Sequence, residues 1–368
     1  MSRTVSPQPA ALRIAVVAPP WFELPPRGYG GTEVVVAGLV DQLVERGHEV
    51  TLVASGRHRT RAQHFVQVYD VPPSSLLGSP MPEVQAAAVA AGALAELDVD
   101  LVHDHSLAGP LLARSRAVPT VTTLHGPALG PNGQYFEALG ASVDVVAISA
   151  AQQRLNPRLN WAGVVHNGID VASFPFVERK DDYVLWIGRF SADKGAHLAI
   201  DAARAVGRRI VLAGKLNEPE ERAYFEEAVR PRLGQRDGVA AEYVGEADAA
   251  LKSELCSRAA CLAFPIQWDE PFGMVMVEAL ACGTPVAAIG RGSVPEVIED
   301  GVTGVVVDHV ADFAGALERA TTLSPVACRR SAAERFDLSV MAASYERVFE
   351  LLVDGTRGLR DLPTARIA

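Results

Sequence analysis

The chain has 368 residues, 49% hydrophobic and 21% charged, enough for two domains of ordinary size, each with its own core. A formal net charge of −10 and a pI near 5.4 exclude nucleic acid as the main partner, yet leave room for a small phosphorylated ligand that needs only a few local cations. Positive charge is mostly arginine; Lys180, Lys194, Lys215 and Lys252 are the only lysines.

Residues 1–11 read as a flexible tail. Residues 14–18 read as a strand, followed by a Pro/Gly-rich loop over 19–31 and a helix over 32–46, with Thr32 as its N-cap and Gly47 just past its end. The apolar run 12–20 is too short, and broken too early by proline, for a secretory signal or a membrane span. The Ala-rich run 84–97 reads as a globular helix. Strands are expected at 50–54, 101–103, 120–124, 143–148 and 163–166. The pattern breaks around Asn167-Gly-Ile-Asp170 and restarts at 183–187, with further strands at 209–213, 241–244, 261–264, 285–289 and 304–307. Near-continuous Val/Ile/Leu strands separated by helices predict an α/β protein with two parallel sheets, each covered on both faces. A boundary near 168–178 divides a first domain, 12–172, from a second, 173–331. A long amphipathic helix is expected over 332–354, ending at Gly355, and then a mobile tail over 355–368. Two such domains imply a cleft where strand-end loops face each other.

The richest segment is Phe264-Pro-Ile-Gln-Trp-Asp-Glu-Pro-Phe-Gly-Met-Val-Met-Val-Glu278. A strand, a loop and a helix N-terminus form a natural anion site, because free backbone N–H groups and the helix dipole point at the ligand. Glu270 and Glu278 cannot serve that anion; they suit hydroxyl groups on either side of it. Eight helical residues span roughly 12 Å, about the reach from ribose to hexose in a nucleoside diphosphate sugar. Three other loops carry compatible groups. Gly188-Arg-Phe-Ser-Ala-Asp-Lys-Gly195 follows a buried strand, and Arg189 and Lys194 could both reach one diphosphate, although Lys194 also has Asp193 beside it as a surface ion-pair partner. Gly214-Lys215 follows the next strand, where Lys215 could meet phosphate or base, or simply be a solvated lysine. Gly30 and Gly31 open a helix and allow close backbone approach, but Gly28-x-Gly30 lacks the third glycine of a dinucleotide fingerprint.

His103-Asp-His105 and His125 also end strands. His125 could orient a sugar hydroxyl or assist proton movement. Metal binding by His103 and His105 lacks a completing carboxylate cluster, and Asp98-x-Asp100 precedes a strand on the opposite edge. No Gly-x-Ser-x-Gly elbow supports a hydrolase. Trp21, Tyr29, Tyr135 and Trp268 either line a pocket or pack. Cys256, Cys261, Cys282 and Cys328 show no metal or paired spacing, which implies a reducing compartment and a cytoplasmic location.

From about Leu12 to Leu352 the chain resembles the retaining glycosyltransferases of family 4, which have the two-domain GT-B fold. The resemblance rests on Gly-Tyr-Gly-Gly-Thr-Glu33, Val-His-Asp-His-Ser106, Thr-Leu-His-Gly126, Val-Val-His-Asn-Gly-Ile-Asp170, Gly-Arg-Phe-x-x-x-Lys-Gly195 and Glu-Pro-Phe-Gly-x-x-x-x-Glu278. It implies two Rossmann-like doubly wound domains and a last helix that crosses back to the first. It also implies that Arg189 and Lys194 bind the donor diphosphate, Glu278 the ribose and Glu270 the donor sugar. Gly30, Gly31, Gly188, Gly214, Lys215, Pro271, Phe272, Gly273 and Met274 complete the donor site by the same resemblance. His125 would face the reacting sugar, with Tyr29, His105 and Tyr135 on the acceptor side. The implied reaction moves a hexose from a nucleotide sugar to a hydroxylated acceptor with retention and without metal or other cofactor. The competing readings are a sugar-nucleotide epimerase, a phosphorylase, or an inactive binding module of the same fold. No transmembrane segment is expected; peripheral membrane contact stays open, though no basic amphipathic stretch supports it.

Overall fold

The computed structural model describes residues 11–360 except Arg27, Tyr29 and Asp237, and of residues 356–360 the helical backbone. The expected N-terminal tail, the end of the C-terminal tail and Tyr29 therefore fall wholly or almost wholly outside the described residues. The chain forms two compact units. One comprises residues up to Ile148, Leu155–Gly168 and the chain from Leu338 on; the other comprises Ser149–Arg154 and Ile169–Asp337.

The first unit is built on strands β1 (Arg13–Val17), β2 (Glu49–Ala54), β3 (His64–Gln67), β4 (Leu101–Asp104), β5 (Thr120–Leu124), β6 (Asp144–Ala147) and β7 (Trp161–Val164). They pair in the order β3-β2-β1-β4-β5-β6-β7, all parallel. The second contains β8 (Val184–Ile187), β9 (Ile210–Ala213), β10 (Gly234–Arg236), β11 (Val239–Tyr243), β12 (Cys261–Phe264), β13 (Val286–Ile289) and β14 (Gly304–Val307). Their order is β10-β11-β9-β8-β12-β13-β14, parallel except for the edge pair β10–β11. The central strands, such as Val184-Leu-Trp-Ile187 and Val286-Ala-Ala-Ile289, are buried along almost their whole length because helices cover both faces of each sheet. This is the GT-B architecture of two Rossmann-like domains. The edge strands β3 and β10 were not foreseen; both are short and lack the continuous apolar run of their neighbours.

The helices are α1 (Gly31–Glu45), α2 (Pro80–Glu96), α3 (Gly130–Leu139), α4 (Ala150–Leu155), α5 (Ala196–Ala205), α6 (Pro219–Tyr224), α7 (Ala249–Arg258), α8 (Met274–Ala281), α9 (Val294–Val297), α10 (Phe313–Ala320), α11 (Pro325–Phe336) and α12 (Leu338–Arg360). Two expectations need correction. Thr32 is not an N-cap: α1 begins one residue earlier and is capped by Gly30 at φ 140°. The helix expected over 332–354 is two helices. Asp337 between them is extended (φ −67°, ψ 148°), and Phe336 O accepts from Ile169 N–H at 2.9 Å. The second helix, α12, also continues through Gly355. It is anchored within the first unit, with Tyr345 Oη 2.8 Å from Thr123 Oγ1 and Glu346 taking both Arg46 (2.5 Å) and His48 (2.9 Å). Among the described residues no helix is long and apolar enough to cross a membrane. All four cysteines are buried and unpaired.

Candidate functional site

In the second sheet, β9 leaves β8 on one side and β12 flanks it on the other, so the strand order reverses at the β8/β12 pair. The carboxyl edge of the sheet at such a switch point is where open α/β sheets bind their ligands. The loops following these two strands, 188–195 and 265–273, carry most of the residues singled out in the sequence.

The loops are stitched together through backbone. Trp186 Nε1 donates to Lys194 O at 3.1 Å, and Gln267 N–H donates to Asp193 O at 2.7 Å. Gly195 has φ 69°, and a Cβ there would run into Pro265 O, so only glycine lets the two loops close up. This brings Lys194 Nζ to 2.5 Å from Glu270 Oε2, with the two side chains only 18% and 11% exposed. The indole Nε1 of Trp268 donates to the same oxygen at 3.1 Å, and the ammonium lies 5.1 Å from the centre of the Trp268 ring. The partner of Lys194 is therefore Glu270, 76 positions away, and not Asp193. Arg189 is exposed, and none of the described side chains accepts from its guanidinium.

Past Glu270 the chain turns through Pro271 and Phe272, both buried, and the Phe272 ring packs edge-on against Phe336. Gly273, at φ 79°, caps α8, and a Cβ there would sit 2.6 Å from Met276 Cε. Met274 is the first residue of α8, whose free N–H groups follow directly. One turn further along, Glu278 Oε1 lies 2.6 Å from Lys252 Nζ of α7, at 12% and 31% side-chain exposure. Burial works against the charge of Lys252, but Glu278 outweighs it and holds the ammonium above its usual pKa.

Lys252 was missed because an isolated helical lysine carries no motif. The loop after β13 was missed as well. There Ser293 donates from N–H to Glu270 O (2.9 Å) and from Oγ to Phe272 O (2.8 Å). Gly292, at φ 56°, lies so close that a Cβ would collide with the Glu270 backbone. Gly290-x-Gly292-Ser after a strand was the signal available for it.

Gly214 and Gly188 approach each other backbone to backbone at the ends of β9 and β8, where a Cβ on Gly214 would strike Gly188 O. Lys215, 15% exposed, has its ammonium 3.9 Å from Glu221 Oε1, so it is not a freely solvated loop lysine. The remaining lysine, Lys180, donates to Ser257 O, Cys282 O and Thr284 Oγ1, and burial brings its pKa down to about 8.

The other predicted site residues lie in the first unit. Gly31, exposed, is the first residue of α1, and Gly30 precedes it. Glu33 in the same turn is buried, which raises its carboxyl to about 7. His105 Nδ1 is 2.9 Å from His125 Nε2, and His103 Nε2 is 2.8 Å from Thr123 Oγ1. Burial pushes His103 down to about 3, His125 to about 4 and His105 well below its usual value, so all three rings are neutral at physiological pH. Neutral His125 can exchange hydrogen bonds but does not offer a standing positive charge. Tyr135 donates its hydroxyl to Leu107 O at 2.6 Å, and Trp21 donates to Glu83 at 2.9 Å, so both polar tips are already engaged by protein. Asp100 and Asp98 bind Arg13 at the opposite end of β1. Among the described residues no group of three or more His, Cys, Asp or Glu side chains is placed to hold a metal ion.

Family models match both halves of the chain: Glycosyltransferase Family 4 over residues 29–173, and Glycosyl transferases group 1 over residues 172–335. The chain is 30% identical to alpha-maltose-1-phosphate synthase of Mycobacterium tuberculosis over 336 residues, covering 79% of this chain and 84% of that protein. It is 27% identical to phosphatidyl-myo-inositol mannosyltransferase of Mycolicibacterium smegmatis over 383 residues, covering 92% and 94%. The crystal structure of AviGT4, a glycosyltransferase involved in avilamycin A biosynthesis, superimposes with a TM-score of 0.72 at 27% identity, covering 94% of this chain and 98% of that one. The chain belongs to the GT-B glycosyltransferases of family 4 type.

Proposed function

We propose that this glycosyltransferase moves a hexose from a nucleoside diphosphate sugar to a hydroxylated acceptor, with retention at the anomeric carbon and without a metal ion. The observation that carries the reading is the Lys194–Glu270–Trp268 cluster, set at the switch point of the second sheet directly before the N-terminus of α8. Lys194 and exposed Arg189 supply two positive charges and α8 a dipole end, which together suit a diphosphate whose charge grows as it leaves. Glu270, next to that charge, takes the hydroxyls of the donor sugar, and Glu278, further along α8, takes those of the ribose. Gly188, Gly214 and the backbone of 271–274 allow the donor to approach closely, and Lys215 lies on the same edge. A relative named a mannosyltransferase supports a hexose as the transferred group.

In the proposed reaction the bond between the anomeric carbon and the diphosphate oxygen breaks. The acceptor oxygen bonds to that carbon from the same face, and its proton passes to the departing diphosphate. Cations already present at the site neutralise the leaving group, so activity should survive excess chelator; a strict need for added Mg²⁺ would reverse that part. Gly30, Gly31, His105 and His125 of the first unit are assigned to the phosphate and the reacting sugar, His125 as a neutral hydrogen-bonding group. Tyr135, and Tyr29 outside the described residues, are assigned to the acceptor side.

The test is incubation with UDP-, GDP- and ADP-hexoses after a thermal-shift screen of the same panel. Nucleoside diphosphate release that depends on a hydroxylated acceptor, with an unchanged anomeric configuration in the product, is the expected result. Epimer formation without acceptor, or tight binding without turnover, would sink it.

A further inference from the structure

Three of the four lysines face carboxylates at or beside the strand-end loops, and Lys252 is the one that no sequence motif accounts for. It lies on α7 and reaches across to α8, where its ammonium takes Glu278 Oε1 at 2.6 Å. Among the described residues Glu278 Oε2 has no hydrogen-bond partner, although the side chain is only 12% exposed. A carboxylate left to itself on a helix samples several rotamers, and each must be given up when ligand binds. One oxygen pinned by an ammonium fixes the plane of the group and leaves the second oxygen, with the remaining lone pair of the first, as acceptors in a set direction.

We propose that Lys252 is a positioning residue for donor recognition: it orients Glu278 so that the carboxylate accepts from the vicinal hydroxyls of the donor ribose, and the preference for ribose over 2′-deoxyribose depends on it. The inference rests on the assignment of Glu278 to the ribose. Lys252 touches Glu278 and not the bond that breaks, so its loss acts on donor affinity and leaves the chemical step close to normal. An ammonium elsewhere on α7 would not do this, because the orientation comes from the short contact to Oε1. Arginine is long enough to restore it.

The experiment compares wild type, Lys252→Met, Lys252→Arg and Glu278→Gln in the full chain. Binding of UDP, GDP and ADP, each against its 2′-deoxy counterpart, is measured by calorimetry, with donor KM and kcat measured alongside. Wild type is expected to bind the ribo form of its nucleotide about tenfold more tightly than the deoxy form, the worth of one hydrogen bond to a charged group. Lys252→Met should weaken ribo binding roughly five- to tenfold, leave deoxy binding within about twofold, and raise donor KM with little change in kcat. Lys252→Arg should recover most of the difference. If Lys252→Met weakens ribo and deoxy forms equally, or changes neither while Glu278→Gln abolishes discrimination, the inference falls and the ribose assignment stands. If Glu278→Gln keeps full discrimination, the assignment itself falls and the inference with it.

Discussion

Replacing Lys194 with methionine separates two consequences that the structure assigns to one side chain. In the ligand-free protein Lys194 neutralises Glu270 at 2.5 Å, with side chains 18% and 11% exposed. An exposed pair contributes about 0–1 kcal/mol, while breaking a fully buried one costs about 3–5 kcal/mol. The exposures here lie between those cases but nearer burial, and the Trp268 indole remains as a donor to the stranded carboxylate. Lys194→Met should therefore lower unfolding free energy by about 2 kcal/mol, read by urea titration without ligand. Losing the ammonium from the departing diphosphate should lower kcat by roughly 10²–10³-fold, read by acceptor-dependent nucleotide release. The double variant Lys194→Met/Glu270→Gln removes the uncompensated charge, so it should regain most of the stability and none of the rate. A single variant with kcat within about threefold of wild type would refute the leaving-group role. So would a double variant whose activity returned together with its stability.

Arg189 is exposed, and among the described residues its guanidinium makes no hydrogen bond or ion pair. Arg189→Ala should leave the urea midpoint within about 0.5 kcal/mol of wild type and weaken donor binding about tenfold or more; unchanged donor affinity would remove it from the site. The buried histidines predict acid sensitivity. Their folded pKa values, about 3 for His103, about 4 for His125 and well down for His105, lie below the value near 6.5 of an unfolded chain. As pH falls from 6.5 toward 4 the unfolded state takes up protons that the folded state refuses, so stability drops. Glu33, raised to about 7, acts in the other direction: its folded carboxyl keeps a proton that the unfolded one has lost between pH 4.5 and 7, so its share of stability is lost as pH rises through that window. Urea midpoints across this range should show a flatter acid slope in His125→Gln and a steeper one in Glu33→Gln; slopes equal to wild type in both would contradict this account.

Much of the fold was legible because local chemistry and tertiary placement agree. Met274 to Ala281 is apolar at helical spacing, follows a glycine that can adopt positive φ, and stops at Gly283; α8 has those bounds. The continuous apolar strands gave parallel sheets for the same reason, since a strand buried on both faces has no polar side to display. Where the two disagree, local reading failed. Residues 332–354 are helical in pattern on both sides of Asp337, and nothing in their periodicity marks the point where the backbone extends and Ile169 takes Phe336 O. Thr32 has the chemistry of a cap, but Gly30 takes the position two residues earlier. Strands β3 and β10 carry too little apolar surface to announce themselves.

By itself the order of residues determined the two α/β halves, the strand-end loops and the identity of the groups those loops offer, because each depends on neighbours a few positions apart. Only the tertiary structure decided the partners: Lys194 with Glu270 across 76 positions, Lys252 with Glu278 across 26, and His105 with His125 across 20. Charges and rings find one another through the register of parallel strands and the packing of helices on them, and that register is a property of the assembled sheet that no local window contains.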